Sequence, residues 1–268
     1  MSTQIHPTAL VDSSIDLGAE VRVGPYAIIE AGCVIGDYCE VRAHAVICKG
    51  TLMGPHNQIG YGAIIGAEPQ DYGYKGGRSW VEIGSGNKIR EYVTIHRATT
   101  EEAATSIGND NFLMCGVHVG HDGVIGNRAI LANNSLLGGY VEVEDGAFLG
   151  GGTVVHQHAR IGTLAITRGG TRVAKDVPPY FMAVDINEVS GINRIGLRRA
   201  GFSHETRRAI QAAYEVLYRS DLNVSQALEE LRHKFHIPEI AHLTEFILAS
   251  KRGICRGERE RRTEAEEE

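Results

Sequence analysis

The sequence predicts an all-β fold, a parallel β-helix, followed by a small C-terminal α-helical domain. Three patterns support this prediction. An aliphatic side chain recurs at every sixth position from Ile5 to Val173, and a small side chain usually lies four residues after it. Helical periodicity replaces this repeat after about residue 185. A period of six suits neither an α-helix nor an isolated strand, so the repeat indicates stacked coils.

The repeat also predicts the size of each coil and the places where the chain leaves it. Of the 29 positions in the aliphatic series, only Asp71, Gly77, Glu101 and Thr167 are not aliphatic. One large and one small inward side chain per six residues describe a short strand and a tight corner. Three such units make a coil of about 18 residues, and successive coils stack about 4.8 Å apart. The non-aliphatic positions mark two excursion loops, at about residues 66–80 and 97–106.

The C-terminal part of the sequence has the pattern of a few short helices. Ser203 is a candidate N-cap for a helix of about residues 204–219, whose inward face carries Ile210, Tyr214 and Leu217. A second helix is expected at 225–235, and Pro238 opens a third. The predicted organisation is therefore a β-helix over residues 1–185, a helical domain over 186–253 and a disordered charged tail over 254–268.

Composition and charge exclude several classes of function. The formal net charge of −6 argues against nucleic acid as the main partner. No apolar run approaches the roughly 20 residues needed for a transmembrane helix. The N-terminus has no signal-peptide pattern, and the five cysteines include no C-x-x-C pair. These features predict a protein of the cytoplasm, a reducing compartment.

A set of polar residues stands out when the repeat is used as a ruler. His121, Gly139 and Gln157 are separated by one predicted coil each, so they should stack in a single column. An imidazole can remove a proton from a hydroxyl group near neutral pH. A glycine one coil away can present its N–H group to a developing oxyanion. His118, Asp122 and His156 flank this column, which suggests a catalytic site.

Other interpretations of the histidines remain open. His6, His44 and His56 are expected to be solvated corner residues. Some hexapeptide proteins, such as γ-class carbonic anhydrases, bind zinc with three histidines. His118 and His121 lack that spacing, and stacking supplies no third histidine, so no metal is predicted. A non-catalytic β-helical scaffold would give no reason for the stacked column.

The chain resembles the hexapeptide-repeat transferases, and within them the UDP-N-acetylglucosamine O-acyltransferases of lipid A biosynthesis. The resemblance to the larger group implies that the β-helix is left-handed. The resemblance to the narrower family extends over residues 5 to about 253 and rests on the order and spacing of seven segments. They are Pro69–Asp71, Val93–Arg97, Val119–Asn127, Ile130–Asn134, His156–Gln157, Asp176–Tyr180 and Gly196–Phe202.

This family resemblance implies a reaction and a set of roles. The reaction is transfer of an (R)-3-hydroxyacyl group from acyl carrier protein to the 3-hydroxyl of UDP-N-acetylglucosamine. His121 would be the general base, Asp122 would orient it, and the Gly139 amide would be the oxyanion donor. Gly169 matches the position that limits acyl length. The residues expected to line the nucleotide-sugar and pantetheine cleft are Gln70, Asp71, His118, His156, Gln157, Asn193 and Arg199.

The resemblance also implies the assembly and the partners. The family forms homotrimers with sites between subunits, so the His121 column would face a loop of a neighbour. The enzyme needs no cofactor of its own, because phosphopantetheine arrives on acyl carrier protein. A basic patch could steer this acidic partner to its site. It consists of Arg194, Arg198, Arg199, Arg207 and Arg208.

The sequence departs from the family pattern at four positions, which leaves alternatives open. Tyr140 stands where the family often has histidine, Gly73 where it usually has lysine, and Ile195 and Ala200 where Glu and Arg are frequent. A 3-amino analogue of the sugar nucleotide is therefore an alternative acceptor. A later N-acyltransferase of the same pathway has an extra domain before its coil, whereas this repeat begins by Ile5. A zinc-dependent hexapeptide lyase is the alternative of a different class.

Overall fold

The computed structural model of the chain describes residues 2–257. It is a left-handed parallel β-helix with a small helical C-terminal region, which confirms the predicted fold class. Three parallel sheets form the sides of the prism. Within the described residues, no helix is long and apolar enough to cross a membrane.

The strands are short and belong to three sheets, numbered here in chain order. The first sheet contains β1 (Gln4–Ile5), β4 (Arg22–Val23), β7 (Glu40–Val41), β10 (Gln58–Ile59), β13 (Lys88–Ile89), β16 (Phe112–Leu113), β19 (Ile130–Leu131), β22 (Phe148–Leu149), β25 (Ile166–Thr167), β27 (Phe181–Val184), β28 (Glu188–Ile192) and β29 (Arg256–Gly257). The second contains β2 (Leu10–Val11), β5 (Ile28–Ile29), β8 (Val46–Ile47), β11 (Ile64–Ala67), β14 (Thr94–His96), β17 (His118–Val119), β20 (Leu136–Leu137), β23 (Val154–Val155) and β26 (Arg172–Val173). The third contains β3 (Asp16–Leu17), β6 (Val34–Ile35), β9 (Thr51–Met53), β12 (Trp80–Ile83), β15 (Ala104–Ile107), β18 (Val124–Ile125), β21 (Glu142–Val143) and β24 (Arg160–Ile161).

The aliphatic series forms the interior of the prism. From Val23 onwards its side chains are almost completely buried, whereas Ile5 in the first coil is 45 % exposed. Burying one such side chain contributes roughly 1.5–3 kcal/mol, so the stacked series is the main source of stability. Thr167, an exception in the series, is also buried and bonds to Thr153 at 2.7 Å. A buried polar atom needs such a partner.

The two excursion loops leave the coil without changing which strands stack. Met53 pairs with Ile83, and Ile83 pairs with Ile107. The aliphatic residues therefore stack on one another again after each loop. The first loop joins β11 to β12, close to the predicted bounds. The second joins β14 to β15, which begins at Ala104, so the predicted loop of residues 97–106 was too long at its end.

A ladder of buried asparagines runs through the coils that these loops interrupt. The side-chain oxygen Oδ1 of Asn57 accepts hydrogen bonds from the backbone and side-chain amides of Asn87 at 2.9 Å. Asn87 accepts one from the backbone of Asn111, also at 2.9 Å. All three side chains are at most 1 % exposed. Because each amide is bonded to its neighbours, the ladder favours one register across the interruption.

Four helices follow the β-helix: α1 (Arg194–Arg199), α2 (His204–Arg219), α3 (Val224–Lys234) and α4 (Pro238–Leu248). The Ser203 side chain caps α2 by accepting from the Thr206 amide, as predicted. Asn223 and Gln226 form a capping box at α3, which places its start one residue before the prediction. The periodicity does not predict α1, because its six residues are too few to show a clear period.

Two predicted boundaries differ from the structure. The predicted domain boundary at residue 185 falls inside an antiparallel hairpin of β27 and β28, which continues the first sheet. Residues 254–257 were assigned to a disordered tail, but β29 pairs with β28 and Cys255 is fully buried. Pairing with the edge of the sheet satisfies the backbone N–H and C=O groups of this segment, and it is ordered despite its charged composition. The rest of the predicted tail lies outside the described residues.

Polar contacts hold the helices against the last coils of the β-helix. Arg160 of β24 pairs with buried Asp176 at 3.0 Å and donates to the Phe246 carbonyl of α4 at 2.6 Å. His242 of α4 pairs with Glu144 at 2.9 Å. The helical region is therefore held in a fixed position on the last coils.

Candidate active site

Most of the predicted site residues lie at one corner of the prism, where the chain passes from the second to the third sheet. We call this column of turns the catalytic corner. Both excursion loops leave from it, since each follows a strand of the second sheet. His121, Gly139 and Gln157 follow at the same position in the next three coils. Backbone bonds from Tyr140 to His121 (2.9 Å) and from His158 to Gly139 (3.0 Å) stack these turns.

His121 forms a hydrogen-bonded pair with its neighbour Asp122. Its Nδ1 lies 2.8 Å from Asp122 Oδ2, and both side chains are 8 % exposed. Asp122 occupies the left-handed corner conformation, with φ of 57°, which turns its carboxylate back toward the imidazole. Since an ionised carboxylate only accepts hydrogen bonds, Nδ1 carries the proton and Nε2 keeps a free lone pair. The pair therefore presents Nε2 as a base.

The Asp122 carboxylate is held in its charged form by the second excursion loop. Thr99 donates to Oδ2 from its backbone amide at 2.9 Å and from its hydroxyl at 2.7 Å. Burial raises the pKa of Asp122, but the hydrogen bonds from Thr99 and His121 outweigh it, so the pKa lies below its ordinary value. Thr99 is not among the predicted site residues, although an excursion that starts one coil below His121 indicates that the loop lies against Asp122.

Gly139 lies directly against the imidazole. A Cβ atom at this residue would be 2.5 Å from His121 Nε2, so only glycine leaves the ring in place. Within residues 2–257, the Gly139 N–H donates no hydrogen bond. At a neighbouring corner the equivalent amides of Asn109 and Asn127 are bonded to side chains of the next coil. Gly139 is buried, and its N–H lies beside the base with no partner among the described residues.

The first excursion loop brings a second carboxylate to the base. Asp71 Oδ2 lies 3.6 Å from His121 Nε2, and its Oδ1 accepts from the Gly73 amide at 2.6 Å. Arg97 fixes this loop by donating to the carbonyl of Gly66 at 3.0 Å and to the hydroxyl of Tyr74 at 3.0 Å. The histidine is therefore flanked by carboxylates on both nitrogens.

His118 lies on the sheet beside this group and is neutral near pH 7. Its Nδ1 shares a 2.8 Å hydrogen bond with Thr94, and its ring lies 5.2 Å from the ring of His96. Burial, together with the nearby His96 and His121, lowers the pKa of His118 below its ordinary value. A neutral imidazole can bond to a polar substrate without bringing a charge into the cleft.

The remaining predicted residues lie further from the base or on another face. Gln70, His156 and Gln157 are exposed at the catalytic corner or on the adjoining strand end. Gly169 lies at a different corner, between the first and second sheets, with its ideal Cβ 3.2 Å from the Gly151 carbonyl oxygen. The structure of one chain therefore groups the base, both carboxylates and Gly139, but not Gly169.

Asn193 and Arg199 line a cavity of about 940 Å³ against the outer face of the first sheet. The wall is largely apolar and includes Phe148 and Ile166, with Ile195 and Ala200 at the helical side. Asn193 is buried and caps α1 through a 2.9 Å bond from the Gly196 amide. In a single chain these two residues do not share the catalytic corner with His121.

The arrangement of donor side chains bears on metal binding. Among residues 2–257, no group of three or more His, Cys, Asp or Glu side chains is arranged to hold a metal ion. His121 instead uses its Nδ1 for Asp122 at 2.8 Å.

Comparisons with known proteins agree in pointing to one family. Residues 176–255 match the family model described as Udp N-acetylglucosamine O-acyltransferase, domain 2, and residues 14–49 match the bacterial transferase hexapeptide model. An acyl-[acyl-carrier-protein]–UDP-N-acetylglucosamine O-acyltransferase of Pseudomonas fluorescens is 51 % identical over 256 residues, covering 94 % of this chain and 99 % of that protein. One from Janthinobacterium sp. is 49 % identical over 259 residues, with the same coverage. The UDP-N-acetylglucosamine acyltransferase of Bacteroides fragilis has a TM-score of 0.91 at 41 % identity, covering 94 % of this chain and 100 % of that one.

Proposed function

Because the chain belongs to the acyl-[acyl-carrier-protein]–UDP-N-acetylglucosamine O-acyltransferase family, we propose that it transfers an (R)-3-hydroxyacyl group to the 3-hydroxyl of UDP-N-acetylglucosamine. The donor is acyl carrier protein, and the reaction is the first step of lipid A biosynthesis. One observation supports the chemistry above all others. It is the free Nε2 of a carboxylate-bonded histidine beside the unbonded amide of Gly139.

The acylation begins with proton removal by His121. Nε2 accepts the proton of the sugar 3-hydroxyl, and the oxygen attacks the thioester carbonyl carbon. The Asp122 bond to Nδ1 at 2.8 Å keeps the ring in the tautomer that has a basic Nε2. The charge that develops on the carbonyl oxygen is bound by the Gly139 N–H. When the intermediate collapses, the pantetheine sulfur leaves and takes the proton from Nε2.

Both carboxylates face the ring nitrogens that carry protons once the base has acted. As His121 gains a proton it becomes an imidazolium, with Asp122 bonded to Nδ1 and Asp71 3.6 Å from Nε2. Before the reaction, Nε2 and the Asp71 oxygen are both acceptors. A sugar hydroxyl has a single hydrogen, and donating it to Nε2 aligns this hydroxyl for deprotonation. Asp71 then accepts from a second donor of the substrate.

A homotrimer accounts for the separation of the two groups of predicted residues. Asn193 and Arg199 lie on the first-sheet face, away from the catalytic corner of the same chain. Packing one protomer's first-sheet face against another's catalytic corner unites them in one cleft for the nucleotide sugar and pantetheine. Gln70, His118, His156 and Gln157 contribute the remaining polar surface of that cleft.

The acyl group, the carrier protein and the compartment complete the proposal. Gly169 limits acyl length, and the absence of a side chain there admits a longer chain. The basic patch of Arg194, Arg198, Arg199, Arg207 and Arg208 binds the acidic acyl carrier protein. Phosphopantetheine enters on that carrier, so the protein needs no cofactor of its own, and the reaction takes place in the cytoplasm.

An assay of the purified protein tests this function. UDP-N-acetylglucosamine and its 3-amino analogue are incubated with acyl carrier proteins loaded with (R)-3-hydroxyacyl groups of several lengths, and products are identified by mass. We expect an ester on the 3-hydroxyl. Preferred acylation of the 3-amino sugar would change the acceptor but keep the reaction type, whereas acylation of neither acceptor would overturn the proposal.

A further inference from the structure

A chain of hydrogen bonds reaches the catalytic pair on the Nδ1 side of the imidazole. Thr99, in the second excursion loop, donates to Asp122 Oδ2 from its hydroxyl at 2.7 Å and from its amide at 2.9 Å. His121 Nδ1 shares the same oxygen at 2.8 Å. A single carboxylate oxygen thus joins the loop to the base.

The phenol of Tyr140 extends this chain by one more link. Its hydroxyl oxygen lies 2.9 Å from Thr99 Oγ1. Thr99 has only one hydroxyl hydrogen, which is directed to Asp122, so Tyr140 is the donor in this contact. The order of donation is therefore Tyr140 to Thr99 to Asp122, and the Tyr140 hydrogen is used within the protein.

The ring of Tyr140 is itself fixed on two sides. It follows Gly139 in the left-handed corner conformation, with φ of 58°. One face stacks on His158, with centroids 4.6 Å apart and planes 8° apart. It also meets the ring of His121 at 89°, with centroids 5.3 Å apart. These contacts place the hydroxyl on Thr99 with little freedom to turn toward a ligand.

We propose that Thr99 and Tyr140 are positioning residues that act on the reaction through Asp122. They orient the carboxylate so that Nδ1 of His121 stays protonated and Nε2 stays free. This inference rests on the proposed function. It also assigns a role to Tyr140, which stands where the family often has histidine. The tyrosine supports the base and does not select between the hydroxyl and amino acceptors.

Kinetics of matched variants test the chain of donation. Thr99→Val keeps the shape of the side chain and removes its hydroxyl, Thr99→Ser keeps the hydroxyl, and Tyr140→Phe keeps the ring. We expect Thr99→Val to lower kcat about 10-fold with both KM values unchanged. Thr99→Ser should restore kcat. Tyr38→Phe is the control, since Tyr38 stacks on His56 with centroids 4.9 Å apart at a remote corner.

The double variant separates positioning from substrate contact. Because Tyr140 acts through Thr99, adding Tyr140→Phe to Thr99→Val should lower kcat no further. A raised KM for the sugar nucleotide in Tyr140→Phe, or an additive loss in the double variant, would overturn the proposal. Thermal unfolding of each variant identifies any loss that arises from misfolding.

A measurement without substrate keeps this inference distinct from the proposed function. Nitrogen-15 NMR of the histidine-labelled resting protein reports the tautomer of His121. We expect the Nδ1–H tautomer in the wild type and a shift toward Nε2–H in Thr99→Val. That shift in a protein without acyl transfer would reject the proposed function but keep the positioning role. An unchanged tautomer together with unchanged kcat would reject the positioning role.

Discussion

The replacement of Gly139 by alanine places a methyl group against the catalytic imidazole. The added Cβ lies 2.5 Å from His121 Nε2 and 3.0 Å from Nδ1. Ordinary contacts of a Cβ atom begin at 3.4 Å, so the ring must move by about 1 Å. Gly139 does not have a positive φ, and alanine therefore adopts its backbone conformation without strain. The displacement falls on the side chain of His121.

The size of the effect follows from this displacement. A shift of about 1 Å at a reacting group lowers the rate about 100-fold. The same movement stretches the bond of 2.8 Å from Nδ1 to Asp122, which sets the tautomer. The alanine amide still offers its N–H, so the loss is attributable to the base. We expect kcat/KM of Gly139→Ala to fall about 100-fold.

The assay measures acyl transfer with saturating acyl carrier protein while the sugar nucleotide is varied. Gly77→Ala is the matched control, because the atoms nearest to its added methyl group belong to Glu101 and lie at 3.5 Å or more. The control should keep wild-type turnover, and both variants should keep the wild-type unfolding temperature. A Gly139→Ala protein with kcat/KM within about threefold of the wild type would refute the stacking argument.

Three further outcomes concern acyl length, core electrostatics and pH. Gly169→Met should shorten the preferred acyl chain in competition assays, and unchanged selectivity would remove Gly169 from that role. Arg160→Met leaves the carboxylate of Asp176 buried without its charged partner, so urea unfolding should show a loss of about 3–5 kcal/mol, and less than about 1 kcal/mol would contradict this. The hydrogen bond that His242 donates to Glu144 raises the pKa of His242. Burial raises the pKa of Glu144, but the hydrogen bonds from His242 and Thr163 outweigh it, so this pKa lies below its ordinary value. The pair therefore stabilises the fold most between about pH 5 and 6. His242→Gln should therefore destabilise by at most about 1 kcal/mol there and by less at pH 8, as thermal unfolding across pH will show.

The fold could be predicted because the repeat is local and strict. Each hexapeptide has its own aliphatic residue, so counting along the chain gives the strands and the stacking of His121 on Gly139. The helix begun by Ser203 was predicted from its cap and apolar face for the same reason. Short-range patterns of this kind do not depend on distant contacts.

The missed features depend on contacts between distant segments. Thr99 acquires its role only because the second loop folds back on Asp122, 23 residues later in the chain. β29 is ordered by pairing with β28, which local charge does not reveal. Asn193 caps α1 beside the outer face of the first sheet, whereas His121 lies at the catalytic corner, and the family motifs do not predict this separation.

The most direct test of the account is the turnover of His121→Ala. This imidazole is the only group assigned to take the proton from the acceptor. We predict that kcat falls by about 10²–10⁴ while the unfolding temperature and the oligomeric mass stay unchanged. His44→Ala, at a remote corner where His44 stacks on Tyr26, should retain full activity. A His121→Ala protein with kcat near that of the wild type would contradict the assignment of the general base.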